Sequence, residues 1–247
     1  MKTTTTTLII ALFFQSIITS QNNIVTINKN NLNTSYLTEG KKQYLVYRES
    51  KDGDVLDISI WERTIKFSKL NNKDAIVIEQ HWKKPKAEKF RTVYSICQKE
   101  NFYPIYHYAK VGTTKKDAFD FTSNHIKGSD SIIQNSKKDF YLKLKEPTLN
   151  WELDLETFQC LPLKKNTTFR INFYHPGSPN GPNYYNYEVI GEDTITIGSA
   201  DKVDCWLLKI KYERDNHAIF WIDKNNREVL KMVEVWDGIK RYKIKLF

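Results

Sequence analysis

Apolar and polar residues alternate along most of the chain from Lys41 onward. Short runs with a period of two are separated by tight-turn signals such as Asp52-Gly53 and Asp237-Gly238. This pattern is typical of antiparallel strands joined by hairpins. The clearest runs cover residues 44–49, 55–67, 74–82, 90–98, 103–109, 118–123, 131–135, 168–174, 184–190, 202–212, 218–223, 228–236 and 240–247.

These runs are too numerous for a flat open sheet, which rarely exceeds about ten strands. The sequence therefore predicts a mainly β fold, a curved antiparallel sheet that forms an incomplete or flattened barrel with one short helix. Between Pro147 and Pro162, Trp151, Leu155 and Phe158 recur at helical spacing. We predict a helix over residues 154–160, with Asp154 as N-cap and Pro162 as its stop. It lies on the sheet either as a plug of the core or as a lid over a cavity.

The strands of the second half each have one apolar face. Such a sheet has one wet face, which includes Lys231, Lys243 and Lys245, and one buried face. A single short helix covers little of the buried face, so the sheet either curls onto itself or leaves an apolar concavity. We expect a ligand in that concavity to contact Phe169, Ile171, Phe173, Tyr187, Trp206, Leu208, Trp221, Met232 and Ile244.

The first 20 residues read as an export signal. Lys2 supplies a positive charge, and the apolar core that follows, Leu8 to Phe14, is far shorter than the about 20 residues that span a bilayer. We expect cleavage near Ser20. The remainder, residues 21–247, is then a single β-rich domain in the periplasm or secreted.

Composition supports strands and weakens one class of partner. The chain holds 14 Tyr, 13 Phe and 6 Trp against 9 Gly and 7 Pro, and aromatic residues favour strands. Its 38 basic residues outnumber 29 acidic ones, but they are scattered along the strands, which is typical of a solvated surface. We expect no nucleic-acid partner. A lipid or lipoprotein ligand and a peripheral contact with a membrane stay open, as does the oligomeric state.

Motifs for catalysis are missing from the sequence. The five histidines form no HExxH motif, and no GxSxG or phosphate-binding loop occurs, so no catalytic residue, metal or cofactor is predicted. Cys97, Cys160 and Cys205 allow one disulfide in any of three pairings, or three buried thiols. A carbohydrate-active enzyme would need two carboxylates that face each other across about 5 to 9 Å. The candidates in this sequence are Glu79, Glu152, Asp154 and Glu156.

Three stretches carry a resemblance to a known family. Residues 201–210 (DKVDCWLLKI), 220–232 (FWIDKNNREVLKM) and 242–246 (YKIKL) resemble the closing strands of the bacterial domain of unknown function 3108 family, and 154–163 is similar to its middle element. That family resembles the Lol lipoprotein carriers, in which a helical lid covers an apolar cavity for acyl chains. The resemblance implies an exported, non-catalytic protein that binds an apolar or amphipathic ligand, such as a lipid or acyl chain, in the concavity. The alternatives are a cell-envelope interaction or scaffold protein with a filled core and, third, a carbohydrate-active enzyme.

Overall fold

A computed structural model describes residues 23–85, 91–198 and 201–246. The predicted export signal, residues 1–20, lies outside this part of the chain. The strands, in chain order, are β1 Asn23–Thr26, β2 Gly40–Glu49, β3 Val55–Leu70, β4 Lys73–Lys83, β5 Arg91–Gln98, β6 Pro104–Val111, β7 Lys115–Phe121, β8 His125–Gly128, β9 Tyr141–Lys143, β10 Leu149–Asn150, β11 Thr167–Tyr174, β12 Asn183–Ile197, β13 Asp201–Lys211, β14 His217–Asp223, β15 Val229–Trp236 and β16 Ile239–Leu246. Helix α1 covers Asp154–Gln159, and 3-10 turns cover Thr34–Tyr36 and Trp151–Leu153.

All these strands belong to one sheet with the order β1-β11-β12-β13-β14-β15-β16-β2-β3-β4-β5-β6-β7-β8-β9, and β10 also pairs with β11. The pairs of β11 with β1 and β10 are parallel, and every other described pair is antiparallel. The sheet is mainly a meander, interrupted where β16 pairs with β2. Its two ends, β1 and β9, do not pair with each other, which confirms the predicted mainly β, incomplete barrel.

The sheet curls around one large core, and a second, smaller cluster includes Phe119, Phe121 and Ile126. Buried residues of the early strands, such as Tyr44 and Ile78, belong to the same cluster as Phe169 and Leu208 of the late strands. Side chains from both halves therefore meet across the concave side, as expected if the sheet curls onto itself.

Strand prediction failed where the runs are very short. Residues 131–135 form turns instead of the predicted strand, because the Asn135 amide bonds to the backbone of Ala118 and Ser129 and ties this segment beside β7. The pattern also missed β1, β8, β9 and β10, which have two to four residues each. A period of two cannot be recognised in so few positions.

Helix α1 confirms the predicted short helix but not its cap. The N-cap position is Leu153, which makes no side-chain cap bond, whereas Asn150 accepts a bond from the Glu152 N–H at the preceding 3-10 turn. All six residues of α1 are buried. The helix therefore lies inside the concavity as a plug. No helix within the described ranges is long and apolar enough to cross a bilayer.

Two late strands turn the opposite face inward from the one that the sequence predicted. The sequence pattern puts Ile219 and Trp221 on the buried face of β14, but the buried apolar residues of this strand are Ala218, Phe220 and Ile222. In β16 Lys243 is 6% exposed while Ile244 is only half-buried. The prediction of a wet face for Lys243 was therefore wrong.

Candidate functional site

Six of the nine residues predicted to contact a ligand line one side of the concavity. Below they are called the apolar wall, which consists of Phe169, Ile171, Phe173, Tyr187, Leu208 and Met232, all buried in the main cluster. Trp206 packs against that cluster at its margin. Trp221 and Ile244 lie on the outer face of the sheet, so the structure does not bring them to the other seven. Contact of any of the nine with a ligand stays a prediction.

The space in front of the apolar wall is filled by residues 151–159, called the plug below. Its Phe158 ring lies 4.8 Å from the ring of Tyr187 and 4.8 Å from that of Phe220, measured between centroids. Trp151 packs edge-on against Phe173 at 5.2 Å. These contacts bury large aromatic area. The wall is therefore covered by the chain's own side chains.

A second side of the concavity is positively charged. Residues that pair with the inward positions of β2 also point inward, because cross-strand partners share a face, and this places a row of cations on the concave side. Six of them, which unlike their neighbour Arg48 are at least half-buried, are called the cationic wall below: Lys42, Arg63, Arg91, Arg241, Lys243 and Lys245. Sequence reasoning missed this wall, because alternating lysines in a strand normally mark a solvated face.

The strongest contact between this wall and the plug joins Arg63 to Glu156. The Arg63 guanidinium donates to both carboxylate oxygens, over 2.8 Å from Nε and 2.5 Å from Nη2, and it also donates to the Glu152 carbonyl at 3.0 Å. Both side chains are at most 3% exposed. Burial alone would lower the pKa of Arg63, but the Glu156 carboxylate outweighs it and raises the pKa, so the pair is ionic.

Lys243 is the second cation that faces the plug. Its ammonium lies 3.7 Å from a carboxylate oxygen of Asp154 and 4.9 Å from the centroid of the Trp61 ring. Burial lowers the pKa of Lys243 to about 8, and the nearby Asp154 opposes that shift. A lysine in this environment is charged at neutral pH but poorly solvated.

Two tryptophans separate Lys243 from Arg91, the third cation that forms an ion pair with the plug. Trp61 and Trp82 stack with 4.0 Å between ring centroids and 3° between planes, and the Arg91 guanidinium lies 4.7 Å from the Trp82 ring. Arg91 forms an ion pair with Glu152 of the plug. Burial raises the pKa of Glu152, and Arg91 opposes the shift. Among the described residues, Arg91 Nε and Glu152 Oε2 are buried atoms without a hydrogen-bond partner.

The carboxylates considered for a carbohydrate-active enzyme are all paired with cations. Glu152, Asp154 and Glu156 are each held by a cation of the wall. Glu79 instead pairs with Lys66 at the surface. A catalytic role for these acids stays a prediction.

A separate cleft opens where the two ends of the sheet approach each other. It has a volume of about 620 Å³. It is bordered by the end of β1 and the residues that follow it, by the β5–β6 turn and by the start of β12. Its rings include Tyr103, Phe121 and Tyr184, and the Tyr184 hydroxyl donates to Glu146 at 2.7 Å. In the β5–β6 turn that borders the cleft, Phe102 is buried in the main core and has φ 62°, a left-handed conformation that costs energy for a bulky residue.

The three cysteines are free and buried. Burial raises the pKa of each thiol. The sequence left open either one disulfide or three buried thiols, and the structure has three buried thiols. Such thiols are poor nucleophiles.

Comparison with known proteins identifies a family. The family model described as "Protein of unknown function (DUF3108)" matches residues 43–245. No curated protein matches the chain. A crystal structure of a DUF1329 family protein from Desulfovibrio piger is similar over 86% of each chain, with 9% identity and a TM-score of 0.34. That score is too low to inform the fold or the function.

Proposed function

The chain belongs to the DUF3108 family, and we propose on that premise that it is an exported, non-catalytic protein that binds an amphipathic ligand such as a lipid. The ligand would occupy the space that the plug fills. Its apolar part would contact the apolar wall, and its polar part would contact the cationic wall.

The observation that carries the proposal is the division of the concavity into these two walls. An acyl chain needs a contiguous apolar surface, and burial of each methylene contributes about 0.8 kcal/mol. Phe169, Phe173 and Leu208 offer such a surface. The plug already matches both walls, since Phe158 packs on the apolar wall while Glu156 pairs with the cationic wall.

The plug is small enough to be exchanged for a ligand. Helix α1 has six residues, and helices shorter than about 12 residues are not stable on their own in water. The position of α1 therefore depends on its contacts with the two walls. A ligand that replaces those contacts favours a state in which the plug is displaced. The size of that shift depends on how much more tightly the ligand binds the displaced state than the closed one.

The first test is identification of bound molecules. The mature protein, residues 21–247, is purified from its native compartment without detergent, extracted with organic solvent and analysed by mass spectrometry. We expect a lipid in a stoichiometric amount. Absence of any extracted lipid, together with no change in intrinsic tryptophan fluorescence when monolauroylglycerol or dodecanoate is titrated in, would refute the proposal.

A matched pair of variants locates the site. Phe158→Ala removes the plug's contact with the apolar wall, and we expect it to increase affinity for dodecanoate. The control is Ile219→Ala, which removes apolar side chain from the outer face. Equal effects of the two variants would place the ligand elsewhere, for example in the 620 Å³ cleft.

The proposal of export has its own test. Expression of the full chain in a bacterium with a periplasm should yield a mature protein whose N-terminal residue is Gln21. Recovery of an intact N-terminus from the cytoplasm alone would remove this part of the proposal.

A second candidate function, an envelope interaction or scaffold protein with a filled core, is favoured by the outer face of the sheet. Ile219, Val233, Tyr242, Tyr47 and Ile58 form one row across five neighbouring strands, and Tyr47 stacks on Tyr242 at 4.6 Å. Contiguous apolar surface often marks a protein contact. Cross-linking in intact cells tests this candidate, which predicts a partner attached through this face and no bound lipid.

A further inference from the structure

Three of the wall's cations form ion pairs with the plug, and the other three form ion pairs elsewhere. Lys42 and Lys245 both pair with Glu228, and Arg241 pairs with Glu234. These carboxylates lie in the β14–β15 turn and in β15, so these ion pairs do not depend on the plug, although Lys42 also donates a hydrogen bond to the Gln159 amide of the plug at 3.3 Å.

Arg63, Arg91 and Lys243 pair instead only with carboxylates of the plug. Within the described residues, their ion pairs run to Glu156 and Asp154, to Glu152, and to Asp154, respectively. Displacement of the plug would therefore leave three positive charges in the concavity without their counter-charges. An unpaired charge away from water is costly.

We infer that the ligand is an anionic amphiphile, whose carboxylate or phosphate pairs with Arg63, Arg91 and Lys243 in place of Glu156, Glu152 and Asp154. The inference rests on the proposed function, because it names the ligand class of the same site. A neutral ligand of equal chain length would gain the apolar contacts but would leave the three cations unpaired. The plug thus resembles the ligand in both its apolar and its acidic groups.

The geometry of the cations suits an oxyanion. Arg63 already binds a carboxylate through two parallel bonds, an arrangement that fits carboxylate and phosphate equally well. Lys243 and Arg91 lie at the two ends of the Trp61–Trp82 stack. The stack leaves between them an apolar surface against which the first methylenes of an acyl chain can pack.

The experiment compares ligands that differ only in the headgroup. Dodecanoate, dodecyl phosphate, monolauroylglycerol and dodecyltrimethylammonium are titrated into the mature protein below their micelle concentrations, and binding is followed by calorimetry at low and high salt. We expect one or both anions to bind at least about 10-fold more tightly than the neutral ligand, which corresponds to about 1.4 kcal/mol, and to lose this advantage partly at high salt. The ratio between the two anions identifies the preferred headgroup.

Failure of the inference and failure of the proposed function give different results. If the neutral ligand binds as tightly as both anions, the inference is wrong and the binding function stands. If none of the four ligands binds, the proposed function itself is wrong.

Variants assign the preference to these residues. Replacing the buried pair by methionines, Arg63→Met with Glu156→Met, removes one cation without leaving its partner unpaired. We expect the preference for anions to fall several-fold while binding of monolauroylglycerol persists. The control is Lys66→Met with Glu79→Met, a surface pair between β3 and β4. Lys243→Met gives a second measurement if the double variant does not fold, and an unchanged preference in the variant that folds would overturn the assignment.

Discussion

Arg63 of β3 and Glu156 of α1 form a buried, two-bond ion pair that fixes the plug inside the curved sheet. Both side chains are at most 3% exposed, so removal of either one leaves the other buried without its two-bond partner. This relationship leads to predictions about stability that do not depend on any ligand.

Glu156→Gln should destabilise the protein by about 3 to 5 kcal/mol, because it leaves the buried Arg63 charge with only the more distant Asp154 carboxylate, 4.0 Å away, as a counter-charge. The free energy of unfolding in urea measures the effect. Glu79→Gln, which breaks only the surface pair with Lys66, should cost no more than about 1 kcal/mol. Equal costs for the two variants would contradict the pairing described for Glu156.

Lys243 should contribute more to stability as the pH is raised from about 8 toward 9.5. Its pKa is about 8 in the folded protein and higher when unfolded, so in this range the unfolded chain binds more protons at Lys243, and this residue makes unfolding harder by up to about 1.4 kcal/mol per pH unit. The three buried thiols have raised pKa values and act in the opposite direction in the same range, so the Lys243 contribution is measured as a difference. The urea midpoint of the wild type minus that of Lys243→Met should increase from pH 8 to pH 9.5.

Phe220→Ala should cost about 3 to 5 kcal/mol, as expected for a large core side chain. Trp221→Ala, one position along β14, should cost clearly less, because Trp221 lies on the outer face under the Lys231 side chain. Thermal or urea unfolding of the two variants decides the orientation of β14. A larger loss from Trp221→Ala would show that the face predicted from the sequence was correct after all.

The thiols should be unreactive in the folded protein. Burial raises the pKa of Cys97, Cys160 and Cys205, and only the thiolate attacks a disulfide reagent. We expect modification by a chromogenic disulfide to be at least about 100-fold slower than in denaturant, where all three thiols should react. Fast reaction of one thiol in the native protein would mean that its site opens.

Sequence pattern predicted the long strands and the helix well, since each contains enough alternation or helical spacing to define a period. It could not predict which face of β14 and β16 is buried. In β14 both faces carry large apolar residues, Ile219 and Trp221 on one and Phe220 and Ile222 on the other, so the pattern does not distinguish them. In β16, Lys243 is buried because Asp154, 89 residues earlier in the chain, supplies its counter-charge.

The apolar wall was largely predictable and the cationic wall was not, for one physical reason. Phe169, Ile171 and Phe173 are apolar wherever they lie, so their alternation alone indicates burial. A lysine or arginine is buried only if a distant carboxylate pairs with it. Such pairing is a property of the folded chain and leaves no local signal.

The place of β16 between β15 and β2 also governs the order of assembly. On one side of β2, residues 43–49 pair with residues 240–246, so the ladder that joins the early and late strands cannot form until nearly the whole chain has been synthesised. Contacts so distant along the chain slow folding. Until that ladder forms, β2 and β16 each present an unpaired edge, and nascent chains are then most exposed to aggregation.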